Sequence, residues 1–195
     1  AEFAAEEARH SRGLYDLLKD LGEDPEKIIA GRPDAADFWE LNLDNWLDIA
    51  VFNFTVDRAG SHQIMEYRES SYIPWGESQE EVLADEEDHY DNGVENLKQF
   101  AKEPEKLAEF QKVFDRVLPN CLKRAFGRLE GEDNDFCLQH GLKRNKTEDI
   151  INRYLHEMHG HMDGTGLMFP PMSAFEAINC ELADSTREIL LSLQR

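Results

Sequence analysis

Two stretches with helical periodicity each carry a glutamate three residues before a histidine, Glu7 with His10 and Glu86 with His89, and no other Glu-x-x-His occurs in the 195 residues. Positions three apart share one face of a helix, so each pair presents a carboxylate and an imidazole side by side. Those donors together suit iron and manganese. Used twice with further carboxylates, the motif marks two-metal sites inside helical bundles. A fold that uses both pairs must bring two helices to one level and turn these faces toward each other.

The apolar pattern supplies the helices. Leu14, Leu17, Leu18 and Leu21 recur at helical spacing and predict a helix over residues 2–21, stopped at Gly22 with Pro25 beyond. It begins without a capping residue, which leads us to expect a missing segment upstream of Ala1. A loop with Gly31, Arg32 and Pro33 follows. Residues 43–68 contain no proline and are rich in Trp46, Leu47, Ile49, Val51, Phe52, Phe54 and Val56, so a helix buried on most sides is expected, with Gly60 bending or bulging it. Residues 71–76, with Pro74, read as a connection. A helix over 77–100 follows, with Ser78 as cap and Glu81 three residues on. Further helices are expected over 104–128, 147–159 and 174–193. Nothing alternates like a strand, so the class is all-α. No composition shift divides the chain, which reads as one domain over 1–195, with candidate ligands in 1–102 and packing helices in 104–195.

Asp57 lies inside the apolar helix, directly after Val56. An ionised carboxylate there costs several kcal/mol unless it is paired or bound to a metal. Arg58 or another base would satisfy it as well as a metal would. Helix rise offers a geometric test. Glu7 lies about 14 residues, roughly 21 Å, from its helix end, and Asp57 a similar distance past the next start. From Asp57 the chain descends about 11 residues and rises about 9 to Glu86. Glu7, His10, Asp57, Glu86 and His89 can therefore share one layer. A fourth carboxylate is expected, and none stands out in the chain.

Composition narrows the partners. With 41 acidic against 21 basic residues, the net charge of -20 repels phosphate backbones, so nucleic acid is not expected as a partner. The most apolar stretch, residues 46–56, is too short for a bilayer and contains Asp48 and Asn53; no signal sequence stands near Ala1, so a cytoplasmic location is expected. Cys121, Cys137 and Cys180 are odd in number and far apart, which argues for reduced, mostly buried thiols.

Several longer segments go further. AEEARHSRGLY at 5–15, FTVDRAG at 54–60, RESSYIPW at 68–75, EEDH at 86–89, GLKRNKTEDI at 141–150 and TGL at 165–167 occur in one order along most of the chain. In these segments the chain resembles the catalytic subunit of phenylacetyl-CoA epoxidase and the oxygenase component of benzoyl-CoA epoxidase, within the ferritin-like superfamily. The resemblance implies a ferritin-like bundle whose first helix is absent here, together with the glutamate that helix would carry. It implies that Glu7, His10, Asp57, Glu86 and His89 are ligands of two iron ions, with manganese or a mixed pair as alternatives. It also implies a monooxygenase that uses dioxygen to epoxidise or hydroxylate an aromatic acyl-CoA, with electrons from a separate flavin and iron-sulfur reductase. A structural partner subunit and oligomerisation are further expectations.

Other residues leave two readings each. A CoA group brings phosphate charges, which Lys123, Arg124 and Arg128, or Lys143, Arg144 and Lys146, could meet, although exposed bases usually just solvate a surface. His156, His159 and His161 in HEMHGHMD could bind a metal with Glu157 or Asp163, or simply end a helix polar-side out, stopped by Gly160 and Gly164. Tyr15, Tyr67, Tyr72 and Tyr90 could carry a radical or line a pocket, but core packing is the better expectation. His62 and Glu66 read as an exposed helical pair, with an outer layer around the metals as the alternative. A ferroxidase or peroxide scavenger, and a metal-free scaffold subunit, remain as competing functions.

Overall fold

A computed structural model describes residues 2–31 and 43–194, and among them the chain is all-α, with no strand. Arg32 and Pro33, expected in a loop, lie outside the described residues. Helix α1 spans Glu2–Asp20 and ends where Gly22 adopts φ +80°, a left-handed conformation open to glycine. There the Gly22 and Glu23 amides donate to the Lys19 and Leu18 carbonyls, closing the helix end. Asp24 then caps the short α2, Pro25–Ala30, by accepting from the Lys27 amide.

The apolar helix starts three residues later than expected, as α3, Trp46–Phe52, because the Asn45 side chain accepts from the Leu47 and Asp48 amides. It passes without a break into a π-turn, Asn53–Asp57, and on into α4, Arg58–Tyr67. The irregularity thus precedes Gly60 and ends on Asp57. Single π-turns inside helices are uncommon and cluster at functional sites.

Helix α5, Ile73–Phe100, begins with Pro74 in its first turn, so Pro74 opens the helix and is not part of the connection. Ser78 does not cap it: its hydroxyl donates to the Trp75 carbonyl inside the helix. A Cβ on Gly93 would lie 2.4 Å from the Phe54 nitrogen, so only glycine lets α5 approach the π-turn this closely.

Helix α6, Pro104–Arg124, is followed by α7, Glu132–Gln139, which the periodicity did not indicate. Helix α8, Thr147–Met162, continues through Gly160. The expected last helix is two, α9, Met172–Ala177, and α10, Asp184–Leu193, parted where Asn179 takes φ 52°. Asparagine enters that left-handed region more readily than most residues.

A buried apolar cluster, including Val51, Phe54, Tyr90, Phe110, Phe114, Leu118, Tyr154, Met158 and Leu190, joins the π-turn and its flanking helices to α5, α6, α8 and α10. No residue of α1 belongs to it. Cys121 and Cys180 are buried and Cys137 partly so, all three as free thiols. Among the described residues no helix is long and apolar enough to cross a membrane.

Candidate metal centre

The structure brings all five expected ligands together, in two groups that overlap. Glu7, His10 and Glu86 can place one donor atom each within 4.8 Å of one another, and so can Asp57, Glu86 and His89. Glu86 belongs to both. A carboxylate has two oxygens, so one side chain can serve two cations, which a histidine on one face cannot.

The π-turn delivers Asp57 to this point, and the Asn53 amide donates to its Oδ2 at 2.7 Å. Arg58, the partner considered from sequence, turns instead to Glu157 on α8 and lies 4.6 Å over the Tyr90 ring. Gly60 faces Glu86: a Cβ there would meet Glu86 Oε2 at 3.8 Å, an ordinary contact.

Each histidine is held by an acid from the opposite helix. His89 Nε2 lies 2.9 Å from Glu6 Oε2, and His10 Nε2 lies 2.9 Å from Asp85 Oδ2. Where the carboxylate accepts, the ring donates through Nε2–H and its Nδ1 is the nitrogen with an electron pair to offer a metal. That nitrogen faces the cluster: His89 Nδ1 is 3.9 Å from Asp57 and 4.0 Å from Glu86, and His10 Nδ1 is 3.9 Å from Glu7. Carboxylates hydrogen-bonded to the far side of an imidazole fix its tautomer and raise its strength as a ligand. Sequence reasoning missed Glu6 and Asp85, although each immediately precedes a ligand glutamate.

The acids at this point are crowded and buried. Burial pushes the Glu86 carboxyl up to about 9, with the charges of Asp57, Glu7 and Asp85 adding to the rise. Burial likewise pushes Asp57 up to about 7; His89 and Asn53 oppose the shift and Glu7 reinforces it. Glu86 Oε2 is buried without a hydrogen-bond partner among the described residues. Orphaned buried acceptors are rare and costly, and a metal ion would satisfy this one. The donor set of three carboxylates and two imidazoles fits iron or manganese.

A second polar network links α4 to α8. His62 Nε2 lies 2.8 Å from Glu157 Oε2, and Arg58 bonds the same carboxylate. Burial alone would raise the Glu157 carboxyl, but His62 and Arg58 hold it below its ordinary value. Glu66 pairs with Arg153 and accepts from Asn145. Both His62 and Glu66 are buried, so they are not the exposed pair the sequence suggested; they tie α4 to α8 and to the loop before it.

The other candidates fall elsewhere. His156 and His159 are exposed, and none of His156, His159 and His161 joins a candidate metal group among the described residues. Tyr90 is buried in the core, Tyr67 packs edge-on to Trp75, and the Tyr15 hydroxyl donates to Glu26. Lys123, Arg128 and Lys146 line a cleft of about 1280 Å³ near the start of α8, but Glu130, Asp135, Glu148, Glu181 and Asp184 line it too. The acids outnumber the bases, so the cleft is a poor phosphate site. Lys143 is buried and donates to Thr147, and Arg144 pairs with Glu69.

No protein-family model matches the chain, and a search of curated proteins finds no match either.

Proposed function

We propose that the chain is a ferritin-like bundle holding a carboxylate-bridged pair of metal ions, iron first, and that it is the dioxygen-using subunit of a monooxygenase for an aromatic acyl-CoA. One observation carries the metal reading: two three-donor groups share Glu86, whose buried Oε2 has no other partner among the described residues. The ordered segments that resemble acyl-CoA epoxidases support the choice of reaction. Iron held by these residues would supply the redox chemistry of dioxygen use, in which one oxygen atom enters the ring and the other leaves as water with two electrons from a separate reductase.

The protein's own residues do the rest. Glu86 would be the ligand common to both ions, Glu7 and His10 would serve one of them, and Asp57 and His89 the other. Glu6 and Asp85 hold the two rings by Nε2, with Nδ1 toward the centre. Arg58 and His62 share the Glu157 carboxylate and so tie α4 to α8, and the Phe54 and Tyr90 rings stack in the core between the π-turn and α5.

Purified protein loaded with iron should hold two ions per chain and, with a competent reductase, consume oxygen in step with phenylacetyl-CoA or benzoyl-CoA. Two ions without coupled turnover would remove the oxygenase reading. The exposure of Glu7, 59% of its side chain, favours a second reading, a ferroxidase that admits Fe(II) from solvent. Rapid oxidation with storage of many irons would select it. Near-zero metal after loading would leave only a scaffold subunit.

A further inference from the structure

Glu7, His10, Glu86 and His89 stand on regular helix, whereas Asp57 ends the π-turn. A π-turn carries one residue more than the α-helical turns around it, so its position decides which way the residues beside it point. Its flanks are tied to other helices. On the α3 side Ala50 and Val51 are fully buried in the core, and Asp48 pairs with Arg116 of α6 at 3.6 Å. On the α4 side Arg58 and His62 hold Glu157, and Glu66 holds Arg153, both on α8. With both flanks held, the extra residue can shift along the helix but not leave it. A wide turn that slid past Asp57 would swing its carboxylate about 100° around the helix axis, away from Glu86 and His89.

One carbonyl inside the turn is gripped from outside it. The Thr55 carbonyl accepts from the Arg58 amide of its own helix, from the Tyr154 hydroxyl at 3.1 Å and, more weakly, from the Cys121 thiol at 3.8 Å. A carbonyl has two lone pairs, so the hydroxyl adds to the helix's own bond and does not replace it. Thr55 and Tyr154 are both fully buried. The Tyr154 ring is itself held, 5.1 Å from Phe126 and edge-on to His62 at 5.8 Å. A buried tyrosine hydroxyl needs an acceptor, and the one taken here lies two residues before Asp57.

We infer that Tyr154 is a positioning residue for the inner half of the centre: its hydroxyl, bonded to the Thr55 carbonyl, fixes the π-turn where Asp57 meets Glu86 and His89. Gly93 lets α5 come close to this turn, and Tyr154 sets its place from α8. The inference rests on the two-metal reading for the ion, but the placement of the turn can be tested without one.

The test compares the full chain with Tyr154→Phe, which keeps the ring and removes the hydroxyl, and with Tyr90→Phe, which removes a buried hydroxyl that has no hydrogen-bond partner among the described residues. In a stepwise Mn(II) titration followed by EPR, Tyr154→Phe should weaken the inner ion by about 10–100-fold and leave the outer one as in the parent. Tyr90→Phe should keep both. A Tyr154→Phe protein that melts lower yet binds both ions as the parent does, or a Tyr90→Phe protein that loses the inner ion equally, overturns the inference. In metal-free protein Tyr154→Phe should speed amide exchange at residues 53–58 and leave α1 unchanged; unaltered exchange there also overturns it. Should Tyr154→Phe not fold, Cys121→Ala takes the other side-chain donor from the same carbonyl and must weaken the inner ion alone, and two ions held as in the parent would count against the inference. If the parent binds no Mn(II) while exchange at 53–58 responds to Tyr154→Phe, the positioning role stands and the two-metal reading falls.

Discussion

The two halves of the candidate centre use the same Glu-x-x-His grammar in different surroundings. The inner half, Asp57 and His89, is set by the π-turn and the middle of α5, with side-chain exposures of 11% and 3%. The outer half, Glu7 and His10, lies on α1, and Glu7 is largely open to solvent. Glu86 joins them. Coulombic attraction between a cation and a carboxylate is far stronger where water is excluded, although burying that carboxylate costs more before the ion arrives. The inner half should therefore bind an ion tightly once its acids are deprotonated, and the outer half should exchange its ion with solvent. Identical motifs do not make equal sites.

The largest expected effect falls on the residue the halves share. Glu86→Gln keeps the shape and removes the bridging charge, so both ions should be lost. The fall in affinity should exceed the roughly 10–100-fold typical of losing an outer partner, while metal-free protein should be no less stable than the parent. Metal analysis and thermal melts read both; two ions retained would break the bridge.

Next come the terminal acids. Asp57→Asn should remove the tight ion, whereas Glu7→Gln should weaken only the exchangeable one. Stepwise Mn(II) titration followed by EPR separates them, and equal losses in the two variants would abolish the contrast.

The outer partners sharpen it further because they cross over. Glu6 lies on α1 but holds His89, and Asp85 lies on α5 but holds His10. Glu6→Gln should thus weaken the inner ion and Asp85→Asn the outer one, each by about 10–100-fold. The reverse assignment would show that helix membership, and not the hydrogen bond, governs each half.

The smallest effect is the pH dependence. In metal-free protein Glu86 and Asp57 keep protons up to about 9 and about 7, well above the 4.5 and 3.8 of the free groups. The native state then binds more protons than the unfolded state, so stability falls as pH rises through that window and the deficit is complete above about 9. A metal replaces those protons, so the gain in Tm on loading should grow between about pH 4.5 and 9. A gain that is flat with pH would mean these acids do not meet the ion.

The convergence of the five side chains was legible because helix rise and i,i+3 spacing are local rules that survive folding. The π-turn was not, since its register depends on α5 packing against Phe54 through Gly93, a contact between distant segments. His62 and Glu66 were misplaced on the surface for the same reason: their partners Glu157 and Arg153 lie 95 and 87 residues away in the chain. The parting of α9 from α10 could have been anticipated at Asn179, and the doubled acids Glu6-Glu7 and Asp85-Glu86 pointed to the imidazole partners.

Helix α1 gives no side chain to the apolar cluster and meets α5 largely through Arg9, His10, Glu6 and the Phe3 ring against His89. Such a seam opens locally at little cost, so the segment behaves as a cooperative unit of its own. An ion bound between Glu7 and Glu86 acts as a rivet across it, and amide exchange along α1 becomes a gauge of occupancy. Loading would then be a partial folding reaction, and the unloaded chain would expose α1 first to proteases.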